Sequence, residues 1–186
     1  MRRATALAVL AAAGCASTPD PAPAPARPEL AQARQPLAEV EVKCAATGAP
    51  EAIGSPGDVQ VIELWATWCA PCVKALPQWD ALARRERIPI LAVSIDDERE
   101  APVRFAREHG IELPILWDPL GQRIAGAVPL GGVVPTTLVV DCAGKVRHKH
   151  EGFQGPEVVE RVAAEVRELR RESTCKAPAE LPRCAP

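Results

Sequence analysis

The sequence predicts a mixed α/β fold: one central β-sheet flanked by helices on both faces. Two continuous apolar runs carry the prediction first. Val59 to Ala66, β-branched at its start, and Ile88 to Ile95 both read as strands buried on both faces. A second observation is helical spacing, clearest after Pro156, where Val158, Val162, Val166 and Leu169 line one face. The third is an antiparallel pair late in the chain: Thr136 to Asp141 and Lys145 to Lys149, with Cys142 to Gly144 as the turn. Strand, helix, strand, further helix, hairpin and final helix stack as a sheet with helical layers, with right-handed parallel crossovers.

The N-terminus opens with Arg2 and Arg3, then an apolar run from Ala4 to Ala13 that is too short to span a bilayer. Residues 1–14 therefore read as a signal peptide. Ala12-Ala13-Gly14-Cys15 resembles a bacterial lipobox, with Ala12 where that signal usually has Leu. The resemblance implies acylation of Cys15 as a lipid anchor; ordinary cleavage near Ala13 or Ala16 is the alternative. Residues 15–36 carry Pro19, Pro21, Pro23, Pro25, Pro28 and Pro36 among alanines, a composition that favours an extended tether.

The globular part spans 37–173. Glu39 to Lys43 alternates and predicts a first strand. Pro71 suits the first turn of a helix that runs to about Arg87, with a kink expected at Pro77. Arg99 to His109 reads as a helix capped by Gly110, Leu113 to Trp117 as a short strand, and Pro119 to Ala127 as a short helix. Residues 174–186 form a tail containing Pro and Cys.

The 186 residues suffice for one domain, and 47% apolar content supplies a core. A net charge of −2 and the absence of Tyr argue against a nucleic-acid surface. Seven cysteines imply either metal binding or an oxidising compartment, and the signal peptide favours the second.

Trp68-Cys69-Ala70-Pro71-Cys72 is the most informative stretch. Two thiols separated by two residues at a helix start can close into a small disulfide ring. The first sits among unpaired amides at the positive end of the helix, which favours a thiolate, the species that attacks a disulfide. Cys72, about one turn further in, would resolve the resulting mixed disulfide. Zinc would require more ligands, and no second Cys-x-x-Cys is present. An inert disulfide is the plain alternative.

Glu63 to Cys72, and Trp65-Ala66-Thr67-Trp68-Cys69 in particular, resembles the active-site segment of the thioredoxin superfamily in its TlpA/ResA-like branch of thiol–disulfide oxidoreductases. The likeness continues through Ala92 to Asp96, Phe105 to Gly110, Leu113 to Asp118, Val134-Pro135-Thr136-Thr137, Asp141, Gly144-Lys145-Val146 and Glu151-Gly152. It implies a thioredoxin-like fold with an αβ insertion around residues 97–117. It also implies a cis Val134–Pro135 bond facing the Cys69–Cys72 disulfide, with the Val134 backbone open to a substrate strand. Glu63 falls where the superfamily carries a buried acid that exchanges a proton with the second thiol, and its apolar neighbours favour burial. Trp68, Ala70 and Pro71 would shape the site. The branch often has a Glu three residues after the second Cys; Ala75 stands there, so substrate choice inferred from such relatives does not carry over.

The resemblance implies protein thiols and disulfides as substrates, a membrane thiol protein as electron donor, the periplasm as location, and no cofactor beyond the redox disulfide. The reductant direction is expected, serving cytochrome c maturation, metal-site assembly or thiol rescue. Two other readings stand beside it: a peroxiredoxin-related peroxidase and a tethered copper-binding module. Of the remaining cysteines, Cys175–Cys184 is expected as a local bridge, leaving Cys44–Cys142 to tie the first strand to the hairpin turn. His148 and His150 share a strand face read as solvated, with no metal site expected.

Overall fold

The computed structural model describes residues 36–54, 57–153, 155–172, 184 and 186. The signal peptide, Cys15, nearly all of the tether, and Cys175 lie outside the described residues.

Seven strands form one sheet: β1 (Glu41–Cys44), β2 (Pro50–Ala52), β3 (Gln60–Trp65), β4 (Ile90–Ser94), β5 (Ile115–Trp117), β6 (Thr136–Val140) and β7 (Val146–Glu151). Their spatial order is β2-β1-β5-β4-β3-β6-β7. β3, β4 and β5 run parallel, and the β1–β2 and β6–β7 hairpins pair antiparallel on either side. The helices are α1 (Ala70–Glu86), α2 (Glu100–Glu108), α3 (Gln122–Ala127) and α4 (Pro156–Glu172). Among the described residues no helix is long and apolar enough to cross a membrane.

β3 is buried along its whole length, as its unbroken apolar run requires. Because side chains alternate along a strand, Val61 and Trp65 enter one core with α1, α2 and α4. Ile62 and Leu64 enter the second core, on the opposite face with α3 and β1. Glu63 therefore points to the same side as Val61 and Trp65, toward α1. Trp79 of α1 is fully buried in that layer.

α1 continues through Pro77 and ends at Arg87 in the left-handed conformation (φ 52°). Arg87 is held there by Arg170 of α4, which donates to its carbonyl at 3.2 Å and also pairs with Asp58.

The expected first strand begins later than its alternation suggested. Residues 37–39 form a 3-10 turn whose Leu37 amide donates to Gly144 O in the distant hairpin at 2.8 Å. β2 was not expected: Pro50-Glu51-Ala52 has little strand propensity, and its pairing to β1 imposes the conformation. The helix expected over Pro119 to Ala127 is divided. A 3-10 turn ends at Leu120 and Gly121, both at positive φ, before α3 starts.

Candidate active site

The chain turns sharply between β3 and α1, and Cys69 becomes the N-cap of α1. Pro71 occupies the first turn, where its missing N–H removes nothing from the helix. The Cys72 amide donates to Cys69 Sγ at 3.3 Å, and the two sulfurs are joined as a disulfide with Cα atoms 5.2 Å apart. That amide is one of the orphan donors of a helix start, so on reduction the charge on Cys69 sulfur meets a donor already in place. Cys69 keeps 5% of its surface and Cys72 1%, so the first cysteine is the more open of the two to attack from outside. Trp68, Ala70 and Pro71 are exposed around them.

The loop leading to Cys69 is fixed by a residue that pattern reading passed over. Asp96, buried just beyond β4, accepts the Thr67 hydroxyl at 2.7 Å, the Thr67 amide at 3.1 and 3.2 Å, and the Ser94 hydroxyl at 2.7 Å. Its own carbonyl accepts Trp117 Nε1 at 2.7 Å. Sequence showed Asp96 only as one letter of a resemblance; its partners lie on three separate segments.

Glu63 is buried to 1% exposure beneath α1. Thr137 of β6 donates its hydroxyl to Glu63 Oε2 at 2.6 Å, while Oε1 has no hydrogen-bond partner. Burial raises the carboxyl pKa to about 7, against smaller downward effects of Thr137 and Trp79. The Trp79 indole is close enough to act on the carboxyl but closes no well-formed hydrogen bond, and its Nε1 is left unpaired. Near neutral pH this carboxyl can therefore either give or take a proton, on the side of the sheet where Cys72 lies.

The Val134–Pro135 peptide bond is cis. Leu64 and Thr136 are register partners on β3 and β6, so Pro135 comes at the end of β6 that lies beside the exit of β3 toward Cys69. Val134, half-buried, packs against the cluster containing Cys69 and Cys72, and Val133 beside it is exposed. Behind this segment, buried Lys149 of β7 donates to Pro129 O at 3.2 Å and lies 3.1 Å from Glu151 Oε1. Glu151 in turn accepts the Gly131 amide at 3.2 Å. Lys149 and Glu151 thus brace the loop that ends in Pro135.

The remaining cysteines are not paired as expected. Cys44 and Cys184 are both free and buried, so neither Cys44–Cys142 nor Cys175–Cys184 forms. Cys142 is disulfide-bonded. Sheet order explains the correction: Cys44 on β1 and the turn after β6 are four strand positions apart, about 19 Å at 4.8 Å per strand, whereas a disulfide spans at most about 7 Å. The face shared by His148 and His150 is solvated only in part, His148 staying 37% exposed. Both meet Glu165 of α4, at 3.5 and 2.8 Å, and His150 is largely buried. Among the described residues no group of three or more His, Cys, Asp or Glu is placed to hold a metal ion.

Residues 36–149 match the AhpC/TSA family. The chain is similar to the thiol-disulfide oxidoreductase ResA of Bacillus thuringiensis (strain Al Hakam), 31% identical over 102 residues, covering 53% of this chain and 58% of that protein. It is similar also to the thiol:disulfide interchange protein DsbE homolog of Paracoccus denitrificans, 33% identical over 104 residues, covering 55% of each. The chain thus spans little more than half the length of these curated relatives. Among solved structures, StoA of Bacillus subtilis superposes with a TM-score of 0.57 at 18% identity, over 69% of this chain and 99% of that one. A secreted thiol-disulfide isomerase of Corynebacterium glutamicum gives 0.61 at 18%, over 71% and 85%. The fold is thioredoxin-like.

Proposed function

The chain belongs to the AhpC/TSA family, and we propose that it is a thiol–disulfide oxidoreductase acting on protein substrates outside the cytoplasm. The observation that carries this reading is the Cys69–Cys72 disulfide at the head of α1, with the Cys72 amide on Cys69 Sγ and Cys69 the more exposed of the two.

In the reducing direction, the Cys69 thiolate attacks one sulfur of a substrate disulfide and expels the other as a thiolate. Cys72 then loses its proton and attacks Cys69 Sγ, which releases the second substrate sulfur. Two electrons pass to the substrate, and the chain is left oxidised, as it stands in the structure. Glu63, with a pKa of about 7 on the same side of the sheet, supports a role in taking the Cys72 proton. Exposed Trp68 and Val133 supply an apolar rim for a substrate segment beside Val134.

We read Cys15 as the lipid anchor and residues 15–36 as the tether holding the domain off a membrane. A disulfide at Cys142 agrees with an oxidising compartment. Net reductant activity, fed by a membrane thiol protein, is our preferred direction.

The test is reduction of insulin disulfides by dithiothreitol with and without the protein, beside hydrogen peroxide consumption and a copper titration of the reduced form. The expected result is accelerated insulin reduction that Cys69→Ser abolishes, with Cys72→Ser trapping a mixed disulfide. Turnover of peroxide alone, or tight copper binding with no exchange, overturns the reading. Alkylation of the protein in intact cells then fixes the direction: Cys69 and Cys72 held mainly as thiols indicate a reductant.

A further inference from the structure

We propose that Cys44 and Cys184 form a further disulfide, which fastens the segment around residue 184 to β1. Both side chains are buried to 1% exposure in the core that lies opposite α1. Both belong to one cluster of packed side chains, and each lies close enough to shift the titration of the other. A separate contact fixes the backbone of residue 184: its carbonyl accepts the Ile115 amide of β5 at 3.0 Å. Cys44 is the register partner of Leu116, the next residue along β5. Side chain and main chain thus bring the two cysteines to one place from two directions.

A shared metal ion is the other common use of adjacent buried thiols, but no third ligand is placed for one among the described residues. In the docked state the surroundings of the two sulfurs are unequal. Burial pushes the Cys44 pKa up, but hydrogen bonds from Cys184, Thr47 and Ala46 outweigh it and bring the net below the ordinary thiol value. Cys184 is raised, first by burial and then by Cys44 and Glu51. Glu51 Oε1 accepts from Cys184 Sγ at 3.5 Å.

The oxidant is a protein or low-molecular-weight disulfide. The Cys44 thiolate attacks one of its sulfurs and expels the other as a thiolate. Cys184 passes its proton to Glu51 and attacks Cys44 Sγ, which releases the second sulfur of the oxidant. The chain gains one S–S bond, and the oxidant, with two electrons and two protons, becomes two thiols. Neither sulfur is accessible in the folded state, so Cys44 meets the oxidant during folding, and Cys184 closes the bond as it docks beside Glu51. Burial then keeps the bond from reductants while Cys69 and Cys72 cycle.

The experiment uses the full chain, reduced and unfolded, then refolded in a mixture of oxidised and reduced glutathione. It is quenched in acid, alkylated without reductant, digested and analysed by mass spectrometry. A peptide pair linking Cys44 to Cys184 is expected, and it persists when Cys69 and Cys72 are both replaced by Ser, which separates this bond from the active-site reading. Alkylation of both Cys44 and Cys184, or links to Cys142 or Cys175 instead, overturns the proposal. The thermal midpoint gives an independent readout. Cys44→Ala and Cys184→Ala each lower it by about 5–15 °C, and the double variant falls no further. Additive losses in the double variant overturn the proposal as well. Should a variant fail to fold, the linked peptide in the unaltered chain decides alone.

Discussion

Thr137 and Glu63 are register partners across the β6–β3 ladder, and the hydroxyl of the first donates to the carboxyl of the second at 2.6 Å within the core. One donor for two buried oxygens leaves the charged form poorly solvated. The folded pKa of about 7 thus stands above the ordinary 4.5. Between those values the folded state holds the proton more tightly than the unfolded chain does. Stability from this group is fully present below about pH 4.5 and is lost as pH rises through about 7, a total of ~3 kcal/mol. Urea unfolding of the oxidised protein at pH 5 and 8.5 checks this. Glu63→Gln should remove most of that decline, and an unchanged pH dependence in the variant refutes it.

Asp96 should matter to both stability and exchange. Asp96→Ala strands the Thr67 amide, the Thr67 hydroxyl and the Ser94 hydroxyl in a largely buried setting. The expected loss is about 2–3 kcal/mol, since orphaned buried donors cost about 1–3 kcal/mol each and part of the loop can turn to water. The segment carrying Cys69 then loses its fixed approach to α1, so insulin reduction slows and the glutathione equilibrium of Cys69–Cys72 shifts. Asp96→Asn retains one acceptor oxygen and should recover part of both. A variant that is less stable but unchanged in its glutathione equilibrium would confine Asp96 to a structural role.

The redox pair was legible because Cys69 and Cys72 declare their geometry by spacing alone. β3, β4 and α4 were legible because their apolar pattern matches a single period over many residues. β2 was not, since Pro50-Glu51-Ala52 becomes a strand only through its partner β1. Asp96 and Lys149 gain meaning from partners about 20 to 29 residues away along the chain, which no local pattern encodes. The cysteine pairing failed for the same reason: spacing along the chain says nothing about strand order, which sets Cys44 beside β5 and far from the β6–β7 turn.

Lys149 offers a test of the loop before Pro135. Its ammonium is buried to 5% exposure, and its bonds to Pro129 O and Glu151 fix the loop from behind. Lys149→Met keeps the stem but releases Pro129 O and Glu151. It is expected to cost about 1–3 kcal/mol in urea unfolding and to weaken substrate engagement, seen as a raised KM for insulin. An unchanged KM with lowered stability would show that the brace serves folding alone.

Gly144, the glycine of the β6–β7 turn, should resist replacement. It sits at φ +78°, and a Cβ there would lie 2.7 Å from Ala38 Cβ and 2.9 Å from Ala38 N. The same residue accepts the Leu37 amide through its carbonyl, so the 3-10 turn cannot simply move away. Gly144→Ala therefore adds a steric clash to the left-handed backbone cost, for an expected loss above about 2 kcal/mol. Gly110 is the control: its φ is +63°, with nothing within 4 Å of an added Cβ. Gly110→Ala should cost only about 1 kcal/mol, the conformational part. Equal losses at the two sites in denaturant unfolding would mean that the close approach of residues 38 and 144 contributes nothing.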